Sequence, residues 1–181
     1  QQADSAVNIQ YTPIDESFLS VYGIKPLAGR DISVDYANDR IELVSEAAGE
    51  INLNILINQS AVKLIGAQSA QQALGKQFAL LENWEDLPVN ATVVGVIPDI
   101  NFGSASDQMQ PMFFMNRADR FFYVSIKSQS HNFTKVQTDI QRIWQQVYPD
   151  DPMTLRQMEA LVNVQYDAMN RQSSLLFVLS M

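Results

Sequence analysis

The chain has 181 residues, a net charge of −8 and no cysteine. A chain of this length can form a substantial hydrophobic core, because it buries roughly two-thirds of the surface that its unfolded form exposes. The acidic balance argues against nucleic-acid binding and against docking on an anionic membrane through a basic patch, since both need clustered cations. The lack of cysteine excludes disulfides, thiolate nucleophiles and cysteine-based metal sites.

The first fifty residues predict a strand, a short helix and a polar connection. Residues 6–11 alternate apolar and polar side chains, which is typical of a half-buried strand that Pro13 then interrupts. Asp15 is placed to cap a short helix through Phe18, Leu19 and Tyr22, which we expect to end at Gly23. An extended piece is predicted for residues 24–27. The polar stretch that follows, residues 31–50, predicts a loop or a hairpin.

The middle of the chain predicts strands separated by two capped helices. Asn58 is placed to cap a helix that ends at Gly66, and Ser69 to begin a second one that ends at Gly75. The last strand is almost entirely apolar or β-branched, so we expect it in the middle of a sheet. The predicted strands are residues 53–57, 78–81 and 91–97.

The last third predicts two strands, residues 111–115 and 121–126, and then a long amphipathic helix. Apolar side chains recur at spacings of three and four from Phe133 to Val147, and Pro149 ends the helix. A final strand at 153–156 and a final helix at 159–171 are expected. The apolar residues 175–181 indicate either the first turns of a membrane-spanning helix or a tail that packs on its own core. Together with a first residue that is not Met, this tail suggests a piece of a longer protein.

No residue in the sequence forms a recognisable catalytic, cofactor-binding or metal-binding motif. His131 stands alone at an expected helix start, where an exposed cap residue is the simplest interpretation. Acidic side chains around Trp84 indicate a solvated hairpin tip, because adjacency in a loop does not build a cleft between two carboxylates. The acidic residues concerned are Glu82, Glu85 and Asp86. Asp150 and Asp151 indicate a turn.

Three further patterns favour structural roles over functional ones. Glycosylation sequons begin at Asn58, Asn90 and Asn132, and we read the first and third as helix caps and the second as the start of a buried strand. The aromatic pairs at 113–114 and 121–122 are typical of a sheet core rather than a base-stacking platform. Phosphate-binding glycine loops and nucleophile elbows are absent from the sequence.

Several short motifs, taken in order, resemble the MacB-like periplasmic core domain of ABC-transporter permeases of the MacB/FtsX type. The end of the chain, from Trp144 through Tyr166 and Arg171, is similar to the exit of that domain into the second membrane helix. The motifs are D-x-x-F…G-I-x-x-L-x-G-R in residues 14–30, N-x-x-A…L-G…A-x-G-K in residues 57–76, V-V-G-V-x-x-D-x-x-F in residues 93–102 and P-x-x-F in residues 110–114.

The resemblance implies an α+β extracytoplasmic domain with two lobes. A porter-like βαβ lobe would combine residues 1–40 with 99–174, a small α+β lobe at 41–98 would be inserted in it, and 175–181 would begin a truncated transmembrane helix. The domain would couple cytoplasmic ATP hydrolysis to efflux or other periplasmic work by mechanotransmission, without being an enzyme and without a cofactor. It would sit on the periplasmic side of a bacterial inner membrane.

The resemblance also implies partners. These are a cytoplasmic ABC ATPase subunit, a second permease copy and a periplasmic or outer-membrane protein, with no nucleic acid among them. Two other classes of function stay open on the residues alone. An extracytoplasmic ligand- or peptide-sensing domain would have an apolar pocket with a few convergent polar groups. A hydrolase would have clustered titratable side chains with shifted pKa values. Whether the loop at 99–110 is exposed or closes over a cavity would help to separate these classes.

Overall fold

The computed structural model describes residues 10–40, 50–84, 87–100, 108–129 and 132–156. The chain divides into two compact units, Gln1–Ile126 and Lys127–Met181. Strands and helices both contribute to the first unit, so the α+β class predicted from the sequence is confirmed. Its strands are β1 (Gln10–Pro13), β2 (Ala28–Gly29), β3 (Ile51–Asn58), β4 (Gln77–Trp84), β5 (Leu87–Ile97) and β6 (Met112–Met115), and its helices are α1 (Phe18–Tyr22), α2 (Gln59–Leu64) and α3 (Ala70–Ala73).

The six strands form one mixed sheet with the order β1-β6-β3-β5-β2, and β4 also pairs with β5. β1 runs parallel to β6, and β3 runs parallel to β5. The remaining pairs are antiparallel: β3 with β6, β5 with β2, and β5 with β4. β5 is therefore paired along both edges, which confirms the central position predicted for its apolar residues. β1 lies at the end of this order, where Pro13 is tolerated as the last residue of a strand.

Hydrophobic side chains pack on both faces of the sheet. Because side chains alternate along a strand, Ile55 and Ile57 of β3 belong to one cluster and Leu56 to the other. α2 and α3 cover the first face through Ala61 and Ala73, which are fully buried. α1 and the segments around it cover the second face; the buried members of that cluster are Ile14, Leu19, Ile32, Leu56, Ile97, Met112 and Phe114.

The helix boundaries in this unit follow the polar caps and glycines of the sequence. The Asn58 side chain accepts a hydrogen bond from the Ala61 amide and so caps α2, and Ser69 caps α3 in the same way. α1 ends at Gly23, which has a left-handed backbone with φ of 68°. One detail differs from expectation, because Asp15 does not cap α1 directly. Its carboxylate instead accepts a hydrogen bond from the Ser17 amide one residue before the helix.

Two strands predicted from the sequence are wrong. Residues 121–126 lie in no strand, and their large side chains are exposed instead of buried. Residues 153–156 are irregular as well. Both segments have the β propensity of a strand, but a strand also needs a neighbour that takes its backbone hydrogen bonds, and composition does not supply one. A third strand is displaced along the chain: the extended piece expected at 24–27 is instead Ala28–Gly29.

The segment 41–98, expected as an inserted lobe, supplies β3, β4 and β5 to the described sheet, and β1, β2 and β6 come from the flanking segments. The parallel pairing of β3 with β5 leaves outer edges that β6 and β2 occupy.

The second unit contains α4 (Phe133–Val147), as its apolar periodicity predicted. The side chain of Asn132 accepts a hydrogen bond from the Lys135 amide at its start, and the helix ends just before Pro149. On its polar side Asp139 pairs with Lys135 at 2.8 Å and with Arg142 at 3.5 Å. None of the helices in the described ranges is long and apolar enough to cross a bilayer. The helix predicted at 159–171 and the tail at 175–181 lie outside the described residues.

Candidate functional site

A polar cluster at the carboxyl ends of β3 and β5 joins three segments of the first unit. The Asn58 Oδ1 atom accepts hydrogen bonds from the amides of Ala61 at 3.1 Å and Met112 at 2.9 Å. Its Nδ2 atom donates to the Gln110 carbonyl oxygen at 2.7 Å. Asn58 is only 1% exposed, so its amide group fixes the start of α2 and the start of β6 at the same time.

Asp99 belongs to the same end of the sheet. Its two carboxylate oxygens accept hydrogen bonds from the amide and the hydroxyl of Ser60, each at 2.9 Å. These contacts tie the residues after β5 to the first turn of α2. The loop at 99–110 was expected to discriminate between functions, but its central part, 101–107, lies outside the described residues, whereas residues 108–110 are exposed.

A second cluster centres on Asp39, whose side chain is fully buried. Arg30 donates to both of its carboxylate oxygens, through Nη1 to Oδ2 and through Nη2 to Oδ1, the latter at 2.8 Å. The Ser33 amide and the Asn54 side chain complete the set with donor distances of 2.8 and 2.7 Å. The guanidinium of Arg30 also stacks on Tyr36, with 3.8 Å from its carbon to the ring centroid.

These contacts shift the pKa values of three groups. Burial alone would raise the pKa of Asp39, but the hydrogen bonds from Arg30, Asn54 and Ser33 outweigh it and hold the pKa below its usual range. The hydrogen bond to Asp39 raises the pKa of Arg30. Burial raises the pKa of the neighbouring Asp31. Four donors occupy the Asp39 oxygens, so this carboxylate is held ionised and has no free lone pair with which to act as a base.

A third contact holds β2 against β5 through two glycines. Gly29 faces Gly95 in the antiparallel pair, and its φ of 76° lies in the left-handed region. A Cβ atom at Gly29 would overlap the Val94 carbonyl oxygen, and one at Gly95 would overlap the Arg30 carbonyl oxygen. The absence of both side chains therefore lets the backbone of residues 29–30 lie directly on β5. This close approach also fixes the position from which Arg30 reaches Asp39.

The residues that the sequence singled out for chemistry are not brought together. His131, Glu85 and Asp86 lie outside the described residues, and the side chains of Glu82 and Trp84 are not described either. Asp150 and Asp151 lie in a turn, as predicted. Within the described ranges, no group of three or more His, Cys, Asp or Glu side chains could hold a metal ion. Of the sequons, those at Asn58 and Asn132 are helix caps, as predicted.

The two aromatic pairs have opposite environments. Phe113 and Phe114 are buried, at 2% and 0% exposure, and Phe114 stacks on Phe18 with 6.1 Å between ring centroids. Phe121 and Phe122 are exposed, at 43% and 77%. The first pair is sheet core, as predicted, and the prediction for the second pair is wrong. Both pairs lie in short runs of large apolar residues, and that pattern alone did not separate them.

The Asp39 cluster was missed by sequence reasoning because its members are distant in the chain. Arg30 and Asn54 lie nine and fifteen residues from Asp39, and neither spacing follows a helix or strand period. A polar Asn54 inside the apolar run of β3 was the available signal, since a polar residue at a sheet position that faces the interior needs a hydrogen-bonding partner.

Comparison with known proteins gives a weak structural likeness. No protein-family model matches the sequence, and no curated protein matches it either. Among solved structures, the chain is similar to the crystal structure of a domain from a protein named as a permease of Porphyromonas gingivalis. The two share 14% sequence identity with a TM-score of 0.45, over 90% of this chain and 73% of the other. A likeness at this level carries no argument about function.

Proposed function

We propose that this chain is the extracytoplasmic domain of an ABC-transporter permease similar to the MacB/FtsX type. In this role it couples ATP hydrolysis inside the cell to work outside the cytoplasmic membrane. The observation that carries the proposal is that residues of the separate sequence motifs contact one another in the first unit. Motifs that match by chance are not expected to contact one another in the folded chain, whereas motifs that belong to one fold are.

The contacts join the motifs in pairs. Gly29, from the L-x-G-R motif, packs on Gly95 of the V-V-G-V motif. Phe18, from the D-x-x-F motif, stacks on Phe114 of the P-x-x-F motif. Asn58 of the N-x-x-A motif binds the amide of Met112, which lies inside the P-x-x-F motif.

The same pattern holds for one more contact between motifs. Asp99, from the V-V-G-V-x-x-D motif, accepts hydrogen bonds from Ser60. Within the motif of residues 57–76, Lys76 donates to the carbonyl oxygens of Ile65 and Gly66 at 3.2 and 3.1 Å, which joins two parts of that motif. These contacts support the proposal that the matched positions serve to build the domain.

A mechanical role is compatible with the chemistry of the described polar groups. Work done by a domain on a partner requires that force applied at one point displaces the domain as a body. The first unit has strands paired on both edges of β5 and helices packed on both faces of its sheet. The buried carboxylate of Asp39 accepts hydrogen bonds from Arg30, Ser33 and Asn54 and holds the segment around residue 39 against β3. We therefore propose a role without catalysis by this domain.

The proposal includes a location and partners. The domain lies on the periplasmic side of the inner membrane, and the parent protein associates with a cytoplasmic ABC ATPase and a second permease copy. A periplasmic or outer-membrane protein is the recipient of the work. The transition from residues 159–171 to the apolar residues 175–181 is the proposed mechanical joint, since that sequence contains neither Gly nor Pro.

The location can be tested with a cysteine introduced into this cysteine-free chain. Gln71 is exposed on α3, so Gln71→Cys in the full-length parent protein provides a reporter that does not disturb the core. We expect a membrane-impermeant maleimide to label intact cells in a manner that depends on this cysteine. Labelling only after the cytoplasmic membrane has been permeabilised would place the domain inside the cell and refute the proposal.

A further inference from the structure

Residues 121–126, the sequence Phe-Phe-Tyr-Val-Ser-Ile, form an exposed apolar segment, which we call the aromatic segment. Phe122, Tyr123 and Val124 are 77%, 93% and 84% exposed. The backbone is extended at its start, with φ of −80° and ψ of 116° at Phe121. In the described part of the chain, a hydrogen bond of 2.7 Å between the hydroxyls of Ser125 and Tyr22 joins the aromatic segment to α1.

The aromatic segment is uncovered on both of its sides. Side chains of consecutive residues in an extended chain point in opposite directions. A strand with one packed face would alternate between buried and exposed side chains, yet Phe122, Tyr123 and Val124 are exposed one after another. The segment therefore projects from the surface of the first unit. A contiguous apolar projection of this kind marks an interaction site.

Positive charge is concentrated around the aromatic segment. Residues 117–127 contain the cations Arg117, Arg120 and Lys127 and the single carboxylate Asp119, an excess of two positive charges in a chain of net charge −8. Arg117 is mostly buried and pairs with Asp119 at 3.1 Å. Arg120 has a side chain that is 52% exposed, and it lies 3.5 Å from the same Asp119 carboxylate, so two cations share one carboxylate. A cation therefore lies at each end of the aromatic segment, Arg120 before it and Lys127 after it.

Two binding partners are compared for the aromatic segment: a second copy of the chain and an anionic lipid surface. The charge pattern favours the lipid surface. A second copy that paired with it as an antiparallel strand, centred between Tyr123 and Val124, would place Arg120 opposite Lys127. Like charges in directly opposite positions destabilise such a pair. An anionic lipid surface would instead attract both cations, and aromatic side chains favour the boundary between headgroups and acyl chains.

We propose that residues 120–127 form an interfacial contact with an anionic lipid bilayer. Phe122, Tyr123 and Val124 enter the headgroup boundary, while Arg120 and Lys127 lie at the level of the lipid phosphates. In the described part of the chain residues 121–126 lie in no helix or strand, and irregular backbone is excluded from the hydrocarbon core, which limits the depth of the contact. The net charge of −8 argues against docking through a broad basic patch, whereas this contact needs only an apolar segment with two local cations. Because an anionic surface repels the rest of the chain, the aromatic segment determines which side of the domain approaches the membrane.

A fluorescence experiment on the full 181-residue chain tests this contact, since the chain has no native cysteine. An environment-sensitive fluorophore is attached at Tyr123→Cys and, as a matched control, at Gln71→Cys. Each labelled protein is titrated with vesicles of phosphatidylglycerol and phosphatidylcholine, and with vesicles of phosphatidylcholine alone. We expect a blue shift at position 123 with the anionic vesicles and none at position 71. Replacing both cations, Arg120→Gln with Lys127→Gln, should weaken vesicle binding about 25-fold, since each cation contributes roughly a factor of five.

Three results would overturn the inference. The first is a fluorophore at position 123 that is unaffected by anionic vesicles. The second is an equal shift at positions 123 and 71, which would indicate binding through another part of the chain, such as its apolar tail. The third is a shift at position 123 that grows with protein concentration without vesicles, which would indicate self-pairing. None of them bears on the transporter proposal, because that proposal is tested by cellular location and by association with an ATPase.

Discussion

Gly29 and Gly95 face each other across the antiparallel pair of β2 and β5, and neither position has room for a Cβ atom. This contact places the first residues after β2 on the central strand of the sheet. It also sets the start of the segment that carries Arg30 towards Asp39. A local feature of two glycines thus determines where a buried ion pair forms.

Alanine at Gly29 should therefore destabilise the first unit severely. The substitution combines a left-handed backbone conformation with overlap on the Val94 carbonyl oxygen, and we expect a loss of roughly 3 kcal/mol or more. Gly23→Ala is the matched control, because Gly23 also has a positive φ but nothing within 4 Å of the added Cβ. It should cost only about 1 kcal/mol. Urea unfolding measures both, and equal losses would contradict the close contact.

Asp39→Asn should remove stability in a manner that depends on pH. The carboxylate of Asp39 has a lowered pKa in the folded chain, so its contribution is fully present above the unfolded pKa of 3.8 and is lost as the pH falls through the lower folded pKa. We expect the variant to be about 2 kcal/mol less stable at neutral pH. The difference from the wild type should shrink below pH 3.8.

Asp139→Asn is the control for that series, because Asp139 also has a lowered pKa through its contact with Lys135 but is exposed to solvent on α4. Solvent screening makes an exposed pair weak, so little change in unfolding free energy is expected at any pH. Chemical denaturation over a range of pH values gives both profiles. A pH-independent effect of Asp39→Asn would mean that the side chain acts through its shape and not through its charge.

Asn58→Ala should destabilise far more than the loss of an ordinary helix cap. The change leaves the amides of Ala61 and Met112 and the carbonyl of Gln110 without their partner, and we expect a cost of about 2–4 kcal/mol. Ser69→Ala, which removes the single cap bond of α3, should cost about 1 kcal/mol. Equal unfolding free energies for the two variants would show that Asn58 caps α2 without joining it to β6.

Phe114→Ala and Phe122→Ala test the opposite environments of the two aromatic pairs. Removing the fully buried ring of Phe114 should cost roughly 3–5 kcal/mol, because it leaves a cavity beside Phe18. Removing the exposed ring of Phe122 should change the unfolding free energy by no more than about 0.5 kcal/mol. Thermal melts distinguish the cases. A large loss for Phe122→Ala would place residues 121–126 in the core, as their composition first suggested.

The features that could be predicted from the sequence are the local ones. Asn58 and Ser69 were recognised as caps because a cap bonds to an amide only three residues away. β5 was recognised as central because its own residues are apolar. The Asp39 cluster and the Gly29–Gly95 contact depend on segments that meet only when the sheet forms. Residues 121–126 have the β propensity of a strand, but in the described part of the chain they pair with no strand, and pairing cannot be read from local composition.

The proposed mechanical joint yields a prediction of its own. Two glycines inserted near Arg171 in the full-length parent protein should uncouple transport from ATP hydrolysis, since they interrupt a stretch that contains neither Gly nor Pro. The isolated chain with the same insertion should keep the thermal stability of its first unit. Transport rate per ATP hydrolysed, measured in membrane vesicles, is the decisive quantity. An unchanged ratio would contradict a lever through this segment.

The central claim is tested most directly by crosslinking in intact cells, with the full-length parent protein as bait and an unrelated inner-membrane protein carrying the same tag as the control. The account predicts that an ATPase of the ABC class is recovered with the bait and not with the control, together with a periplasmic or outer-membrane protein. Recovery of no ABC ATPase, with the bait found in the soluble fraction, would contradict the account and favour a sensing or enzymatic function.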